Sequence, residues 1–346
     1  MDEQVEKLKS LLNSAQRILI TSHISPDPDA VSSMLLLGTT LKENFPEKEI
    51  SMALEEEPER LEFLGGYPKI AFQPLYNCLE NLQPDLLILV DANNYKRCSR
   101  QQSEDIRTII QSKSIKTAVI DHHEPDDKEE TDIYINQKSI ATVQDIFEVC
   151  FNHLELNKPV GYSETTMVGL YSDSGGFVYD NPRHKATFKI VNELLDAGVS
   201  LENVNHRLNN FTDDHLAVLS ELFINLSHSD DYNFTFVSDG FTHEWAKSGK
   251  DPSAIQSACG HFVDQYLRNI ENRYWGFVIR PDPIAGPKHY SVSFRSTGGK
   301  MNVAAIAKRV GGGGHKPSAG AKFEASDIED AIKKVKQAIS GAVDED

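Results

Sequence analysis

The segment from His23 to Asp29 places an imidazole and the carboxylates of Asp27 and Asp29 within seven residues, on a turn stiffened by prolines. Charged groups this close together repel one another unless a cation lies among them. Because histidine and aspartate are common metal ligands, the segment is typical of a metal site. The alternative is a solvated loop in which Asp29 caps the start of a helix. The segment alone leaves both interpretations open.

Asp91 ends an apolar run, Leu86–Val90, that is typical of a buried strand. A carboxylate at the tip of such a strand is a candidate metal ligand, and the alternative is a turn that ends the strand. Asp173 stands beside Gly175 and Gly176, which would let the backbone approach a ligand closely. The alternative there is the last turn of a helix.

The triplet Asp121-His122-His123 follows a second apolar run, Ala118–Ile120. Neighbouring side chains of an extended segment point to opposite sides, so one imidazole can bind a metal while the other faces a substrate. A pair of surface histidines is the alternative, but the run places the triplet at the same predicted sheet edge as Asp91. The combined set is rich in carboxylates, has a few imidazoles and lacks thiolates. This mixture suits Mn²⁺ or Mg²⁺, and the imidazoles favour Mn²⁺.

The first half of the chain alternates short aliphatic runs with helical patterns, which predicts a parallel sheet joined by crossover helices. The candidate ligands between positions 23 and 123 lie at the carboxyl ends of predicted strands or just past them, and ligand sites in open α/β sheets gather at that edge. The predicted strands are 17–23, 49–54, 85–91, 117–122 and 132–136, and the predicted helices are 1–14, 30–44, 142–156, 163–172 and 185–197.

A chain of 346 residues suits two domains, each large enough to bury a hydrophobic core. We predict an α/β fold with a Rossmann-like parallel-sheet domain at 1–190, a connection at 191–214 and a smaller α/β domain with a mixed sheet at 215–342. In the second domain, strands are predicted at 234–237, 274–280 and 290–295, with helices at 215–226, 254–270, 303–310 and 328–339.

The composition excludes several classes of protein. With 35 basic and 52 acidic residues the net charge is −17, which argues against a protein that coats long duplex nucleic acid with a basic face. No run approaches the roughly 20 apolar residues of a bilayer span, and the first residues lack the apolar run of a signal peptide, so a cytoplasmic protein without membrane contact is expected. The four cysteines show no metal-binding or redox spacing, so reduced, buried thiols are expected.

Five motifs in one order resemble the DHH phosphoesterases and their associated C-terminal domain, over nearly the whole chain. The family is named for a triplet that stands here as Asp121-His122-His123, with Pro125 after it. The other motifs are His23-x-x-x-Asp27-x-Asp29-Ala30, Asp91-x-x-Asn94, Asp173-Ser174-Gly175 and Gly311-Gly-Gly-Gly-His315-Lys-Pro-Ser-Ala-Gly320.

The resemblance implies a centre of two divalent cations, Mn²⁺ with Mg²⁺ or Co²⁺ as alternatives. It also implies catalytic roles for His123, which would support a ligand or face the scissile phosphate, and for Asp121, which would orient an imidazole. The implied ligands are His23, Asp27 and Asp91 for one ion, and Asp29, Asp91, His122 and Asp173 for the second.

The glycine-rich motif implies a substrate-binding face, with the active site in the cleft between the two domains. Main-chain N–H groups of a glycine run can approach phosphate oxygens, and basic side chains can pair with a terminal phosphate. Alone, a glycine run is usually a flexible turn and an arginine in a loop is usually solvated. The implied substrate-binding residues are Gly312, Gly313, Gly314, His315, Ser318, Arg295 and Arg97.

Two positions depart from the family pattern. Ser32 stands where the first motif ordinarily has a glycine, which could alter helix packing but leaves the ligands in place. Asn94 stands where some members have an acidic residue, and this variant is similar to the branch that acts on small nucleotides.

The short two-domain form resembles the stand-alone members of the family. It implies a phosphodiesterase that hydrolyses cyclic di-AMP, pApA or short oligoribonucleotides (nano-RNA) to AMP, with a pAp 3′-phosphatase as the alternative and a homodimer as the expected assembly. A related pyrophosphatase would need a basic cluster, whereas only Arg295 and Lys316 lie near the glycine motif. A nucleotide sensor without catalysis would have lost metal ligands, and all six candidates are present.

Overall fold

The computed structural model describes residues 2–58, 60–123, 128–283, 285–297 and 300–342. Contacts divide the chain into two compact units, 1–210 and 211–346. The first unit contains helices α1 (Asp2–Ser14), α2 (Pro28–Asn44), α3 (Leu75–Leu82), α4 (Tyr95–Cys98), α5 (Ser103–Ser112), α6 (Thr142–Phe147), α7 (Tyr162–Asp173), α8 (His184–Asp196) and α9 (Leu201–Asn209), and strands β1 (Arg17–Thr21), β2 (Glu49–Leu54), β3 (Ile70–Phe72), β4 (Leu86–Val90), β5 (Lys116–Ile120) and β6 (Ile133–Ile135).

The strands of the first unit form one six-stranded parallel sheet in the order β3-β2-β1-β4-β5-β6. Strands β2 and β3 lie on one side of β1, and β4, β5 and β6 follow on its other side. The carboxyl ends of β1 and β4 therefore flank the point where the strand order reverses, where open α/β sheets bind ligands.

The aliphatic runs form central strands because helices cover both faces of the sheet. Ile18 and Ile20 of β1 enter the core formed with α2, α6 and α7, whereas Leu19 enters the core formed with α3 and α5. All five side chains of β4 are buried. Burial of each such aliphatic side chain contributes about 1.5–3 kcal/mol, so these strands hold the candidate ligands on a rigid support.

The second unit contains helices α10 (Asp213–Ile224), α11 (Asp239–Lys247), α12 (Ser253–Gln265), α13 (Val303–Arg309) and α14 (Ile328–Ala342). Its six-stranded sheet has the order β11-β12-β10-β9-β8-β7. The pairs are antiparallel except β8 with β9, so the sheet is mixed. The strands are β7 (Ser227–His228), β8 (Asn233–Phe236), β9 (Trp275–Pro281), β10 (His289–Ser296), β11 (Gly313–His315) and β12 (Ser318–Glu324).

The predicted α/β fold, with a parallel sheet followed by a mixed one, is confirmed. The predicted connection 191–214 differs, because residues 201–209 form α9, whose Val204 packs into the core of the first unit. The Ser200 side chain accepts a hydrogen bond from Asn203 N and caps this helix. The predicted helix 142–156 is α6 followed by a π-helical turn, Glu148–His153.

No helix among the described residues is long and apolar enough to cross a membrane. Each of the four cysteines is buried and unpaired.

Candidate metal centre

The structure brings all six predicted metal ligands together at the carboxyl edge of the parallel sheet. Three groups of side chains have potential ligand atoms within 4.8 Å of one another. The loop after β1 supplies His23 and Asp27, and the first turn of α2 supplies Asp29. The tips of β4 and β5 supply one ligand each, and α7 supplies the last from its final residue. The groups are His23 with Asp27 and Asp91, Asp29 with His122 and Asp173, and Asp91 with His122 and His123.

Asp91 belongs to two of these groups and lies between them. Its Oδ2 is 3.2 Å from His23 Nε2, and its Oδ1 is 3.5 Å from His122 Nε2. His23 Nε2 is also 4.0 Å from Asp27 Oδ2. A carboxylate in this position can be shared by two cations, which is the bridging role that the resemblance implies for it.

The backbone at Asp91 adopts an unusual conformation. Its φ of 55° lies in the left-handed region, which non-glycine residues seldom occupy and aspartate tolerates better than most. Asp91 N donates to Ile120 O at the tip of β5, which fixes this conformation. Strain of this kind concentrates at functional sites.

His122 shows that a cation suits this cluster. Its Nδ1 is 3.2 Å from Ser139 O, and because a carbonyl can only accept, Nδ1 carries the ring proton. Burial lowers the pKa of His122, so the imidazole is neutral and Nε2 is a bare acceptor. Within the described part of the chain, this buried Nε2 has no hydrogen-bond partner. It faces carboxylate oxygens of Asp173 at 3.3 Å and Asp91 at 3.5 Å, an arrangement that a cation between them would satisfy.

The carboxylates also repel one another in low dielectric. Burial raises the pKa of Asp29 well above its ordinary value, and the charges of Asp173, Asp91 and Asp27 raise it further. Burial and neighbouring carboxylates likewise raise the pKa of Asp173. For Asp91, burial is outweighed by the hydrogen bond from His23 and by the nearby imidazoles, so its pKa is lowered. Bound cations would relieve this repulsion.

Asp121 lies where it can orient His123. Its Oδ1 is 2.8 Å from His123 Nδ1, and it is fully buried, whereas 38% of the His123 side chain is exposed. Through this contact Asp121 could orient His123, the role that the resemblance implies for it. Pro125, the last residue of the triplet motif, lies outside the described residues.

The cap of α2 is Asp27 rather than Asp29. Asp27 Oδ1 accepts from Ala30 N at 3.0 Å, so the interpretation of Asp29 as a helix cap is wrong. Asp29 lies inside the first turn of α2 and is fully buried. Asn94 in turn caps the short helix α4 by accepting from Arg97 N. Arg97 adjoins the centre through its carbonyl, which accepts from Ile24 N at 2.7 Å.

In the second unit, three predicted substrate-binding residues stand side by side. Arg295 of β10 pairs with Ser318 of β12, and Ser318 pairs with His315 of β11. Directly paired residues project from the same face of a sheet, so the three side chains form one row. Arg295 Nε donates to Asp264 Oδ1 at 2.8 Å and Nη1 donates to Phe294 O at 3.0 Å, which leaves the other terminal N–H groups for a ligand.

The glycine run continues from a turn into the edge strand β11, which begins with Gly313 and Gly314. A Cβ at Gly312 would come within 2.1 Å of Gly320 O, and one at Gly314 within 2.6 Å of Ala319 Cα, so close packing on β12 requires both glycines. Nothing lies within 4 Å of a Cβ at Gly313. The same holds for Gly311, which precedes β11, so Gly313 is the glycine of the strand itself whose missing side chain leaves room for a ligand.

Sequence reasoning missed the residues that hold the ligands in place. Thr142 and Val143, which begin α6, donate backbone N–H groups to Asp29 at 2.6 and 3.0 Å. Gly169 of α7 lies against Asp29, where a Cβ would be 2.9 Å from Oδ1. The available signals were weak: a threonine at a predicted helix start and a glycine inside a predicted helix.

Residues 17–170 match the DHH family, N-terminal domain, and residues 240–341 match the DHHA1 domain. Curated relatives align over most of their length. A bifunctional oligoribonuclease and PAP phosphatase NrnA of Mycoplasma pneumoniae is 26% identical, over 90% of this chain and 89% of the relative. The protein of the same name from Bacillus subtilis is 25% identical, over 91% and 92%.

Two solved structures share the fold. An exopolyphosphatase-related protein from Bacteroides fragilis superposes with a TM-score of 0.78 at 22% identity, covering 99% of this chain and 96% of its own. RecJ from Thermus thermophilus, in complex with Mn²⁺, gives a TM-score of 0.53 at 14% identity, covering 98% of this chain and 54% of RecJ.

Proposed function

The chain belongs to the DHH family of phosphoesterases, and on that premise we propose that it hydrolyses short oligoribonucleotides to mononucleotides and also removes the 3′-phosphate of pAp. Both activities appear in the names of relatives that align over about nine-tenths of their length. Cyclic di-AMP and pApA belong to the same chemical class and are further candidate substrates. The preferred metal is Mn²⁺, since imidazoles accompany the carboxylates.

The observation that carries the proposal is the position of His122 Nε2. It is a buried acceptor that faces two carboxylates, and no described residue donates a hydrogen bond to it. Such a cluster is unfavourable without cations and is well suited to bind them. His23, Asp27 and Asp91 would hold one ion, and Asp29, Asp91, His122 and Asp173 would hold the other.

Two cations in such a centre would acidify the attacking water and stabilise a phosphate group under in-line attack. The side chains around them have separate tasks. Asp121 holds His123 through Nδ1, and the half-exposed His123 ring can then hold or give a proton at Nε2. We assign to Arg97, and in the second unit to Arg295, His315, Ser318 and the backbone of Gly313, the binding of substrate phosphates.

The test is chromatography of the products from short RNAs, pApA, pAp and cyclic di-AMP, with Mn²⁺ present and after chelation. Mononucleotides from RNA and AMP from pAp are expected, and both should disappear with the metal. Asp91→Asn keeps the size of the side chain and tolerates the left-handed backbone. It should lower turnover by at least about 100-fold, because the carboxylate that both ions would share loses its charge and one of its two oxygens.

The control for this variant is its circular dichroism spectrum, which should match that of the parent chain. Thr187→Val is a second control, since the hydroxyl of this buried threonine donates to Gln144 Oε1 and to the Arg183 carbonyl, neither of which belongs to a predicted ligand. Full turnover by folded Asp91→Asn would contradict the shared-ligand role. Absence of any metal-dependent hydrolysis by the parent chain would reject the proposed function itself.

A further inference from the structure

Thr142, the first residue of α6, contacts three parts of the predicted metal centre. Its backbone N donates to Asp29 Oδ2 at 2.6 Å, and its hydroxyl donates to Asp91 Oδ1 at 2.8 Å. The same hydroxyl oxygen accepts from His122 N at 3.2 Å. Thr142 is fully buried and is not itself a predicted metal ligand.

We propose that Thr142 is a positioning residue, which fixes the carboxylates of Asp91 and Asp29 in the orientation that binds both cations. This inference rests on the proposed function and deepens it. A hydroxyl has one proton and accepts through its lone pairs. Because the backbone of His122 supplies a proton to Oγ1, the proton of Thr142 goes to Asp91, and the direction of this bond is determined.

The bond has a consequence for Asp91. A carboxylate has four lone-pair sites, and the hydroxyl occupies one of them on Oδ1. The rotation of the side chain is thereby fixed, and Oδ2 stays directed towards His23, 3.2 Å away. Hydrogen bonds of this kind to metal-binding carboxylates set their orientation and commonly change metal affinity by about 10–100-fold when removed.

A buried polar network holds the segment before Thr142 in place. Asp145, one turn further along α6, accepts from the Ser139 hydroxyl and from Gln137 N. Arg183 donates to the Ser139 hydroxyl and, through Nη2, to Glu148 Oε2 at 2.6 Å. This network fixes the Ser139 carbonyl, which accepts from His122 Nδ1. The contacts around α6 therefore hold His122 in place as well as the carboxylates of Asp29 and Asp91.

A purely structural role would make a different prediction. Asp29 accepts the first two N–H groups of α6 and in this way caps that helix, whose own N-cap residue Ala141 provides no side-chain bond. If Thr142 served only helix α6, losing its hydroxyl would lower thermal stability without changing metal binding. If it positions Asp91, metal affinity must fall.

The experiment compares Thr142→Val, Thr142→Ala and Thr142→Ser in the full chain. Mn²⁺ binding is measured by calorimetric titration and by the electron paramagnetic resonance signal of free Mn²⁺, and melting temperature is measured without metal. Thr142→Val keeps the shape and Thr142→Ala adds no bulk, so at least one variant without the hydroxyl should fold. Thr187→Val is the matched control, because it deletes a buried threonine hydroxyl that bonds Gln144.

Both variants without the hydroxyl should bind Mn²⁺ about 10–100-fold more weakly. Thr142→Ser and Thr187→Val should stay within about threefold of the parent. With saturating Mn²⁺, the kcat of the variants without the hydroxyl should fall while KM for substrate is unchanged, as expected when no substrate contact is lost. Unchanged Mn²⁺ affinity in a folded Thr142→Ala or Thr142→Val would overturn the inference while leaving the hydrolase proposal intact, since the parent enzyme tests that proposal separately.

Discussion

Gly169→Ala is expected to disturb the metal centre although Gly169 carries no functional group. Gly169 lies inside α7, and an added Cβ would be 2.8 Å from Val143 Cγ1, 2.9 Å from Asp29 Oδ1 and 3.0 Å from Ser32 Cβ. These three neighbours belong to α6 and α2, so α7 cannot retreat from one without a shift against another. The new methyl group must therefore displace Asp29 or separate the helices.

The magnitude follows from two opposing effects. Overpacking in a tight core costs typically about 1–3 kcal/mol. Replacing glycine by alanine in a helix interior stabilises the folded state by about 1 kcal/mol. Gly260→Ala isolates the second effect, because Gly260 lies in α12 and nothing is within 4 Å of its added Cβ. The difference between the two variants should therefore be about 1–3 kcal/mol, or roughly 2–12 °C for a unit of this size.

The assay is thermal and urea unfolding of both variants, together with Mn²⁺ titration. The Gly169→Ala variant should have a lower melting temperature than the Gly260→Ala variant. It should also bind Mn²⁺ more weakly, since Asp29 is displaced. Adding Ser32→Gly to Gly169→Ala removes one of the three close neighbours and should restore part of the loss, as a coupling energy in a double-mutant cycle. If Gly169→Ala stabilised the chain as much as Gly260→Ala and left Mn²⁺ affinity unchanged, the packing argument would be refuted.

Two further predictions concern substrate binding and pH. Asp264→Asn should raise the KM for a nucleotide substrate by about tenfold with kcat unchanged, because a charge-assisted hydrogen bond to Arg295 is worth about 1.5 kcal/mol; a fall in kcat alone in steady-state kinetics would contradict this role. The pKa values of Asp29 and Asp173 are raised in the folded chain, so the stability that each contributes is fully present below its unfolded pKa and is lost as pH rises through the folded pKa. The melting temperature of the metal-free protein should therefore fall as pH rises, and the increase in melting temperature on adding Mn²⁺ should become larger. Mn²⁺ binding should also release protons. Scanning and titration calorimetry at several pH values would measure these effects.

The ligand types were predictable because each belongs to a short local pattern. Asp91 and His122 follow continuous apolar runs. Such runs are typical of buried parallel strands, so the polar residues that follow them are predicted to lie at strand tips. Parallel strands present their carboxyl ends at one edge, so convergence followed from the fold class. The family and the enzyme class, a hydrolase of phosphoester bonds, are confirmed by the two domain matches together with the relatives that align over most of the chain.

The supports of the ligands could not be predicted in the same way. The bonds from Thr142 and Val143 to Asp29 join residues more than a hundred positions apart and use backbone N–H groups, which every residue except proline offers. The close approach at Gly169 depends on how three helices meet. The helix α9 was also missed, since Val204 is its single buried residue and the rest of its sequence is polar apart from Leu201 and Leu208.

Asp27 and Asp29 show why a shared motif does not give its members equal roles. Asp27 is half exposed, caps its own helix, and remains in contact with solvent that can stabilise its charge. Asp29 is fully buried and has backbone N–H groups from α6 on both of its oxygens. These N–H groups favour the charged form of Asp29 against the effect of burial, so α6 helps to keep this carboxylate available to a cation. Displacement of Asp29 by Gly169→Ala should therefore weaken the ion held by Asp29 more strongly than the ion held by Asp27, a difference that stepwise Mn²⁺ titration of this variant can resolve.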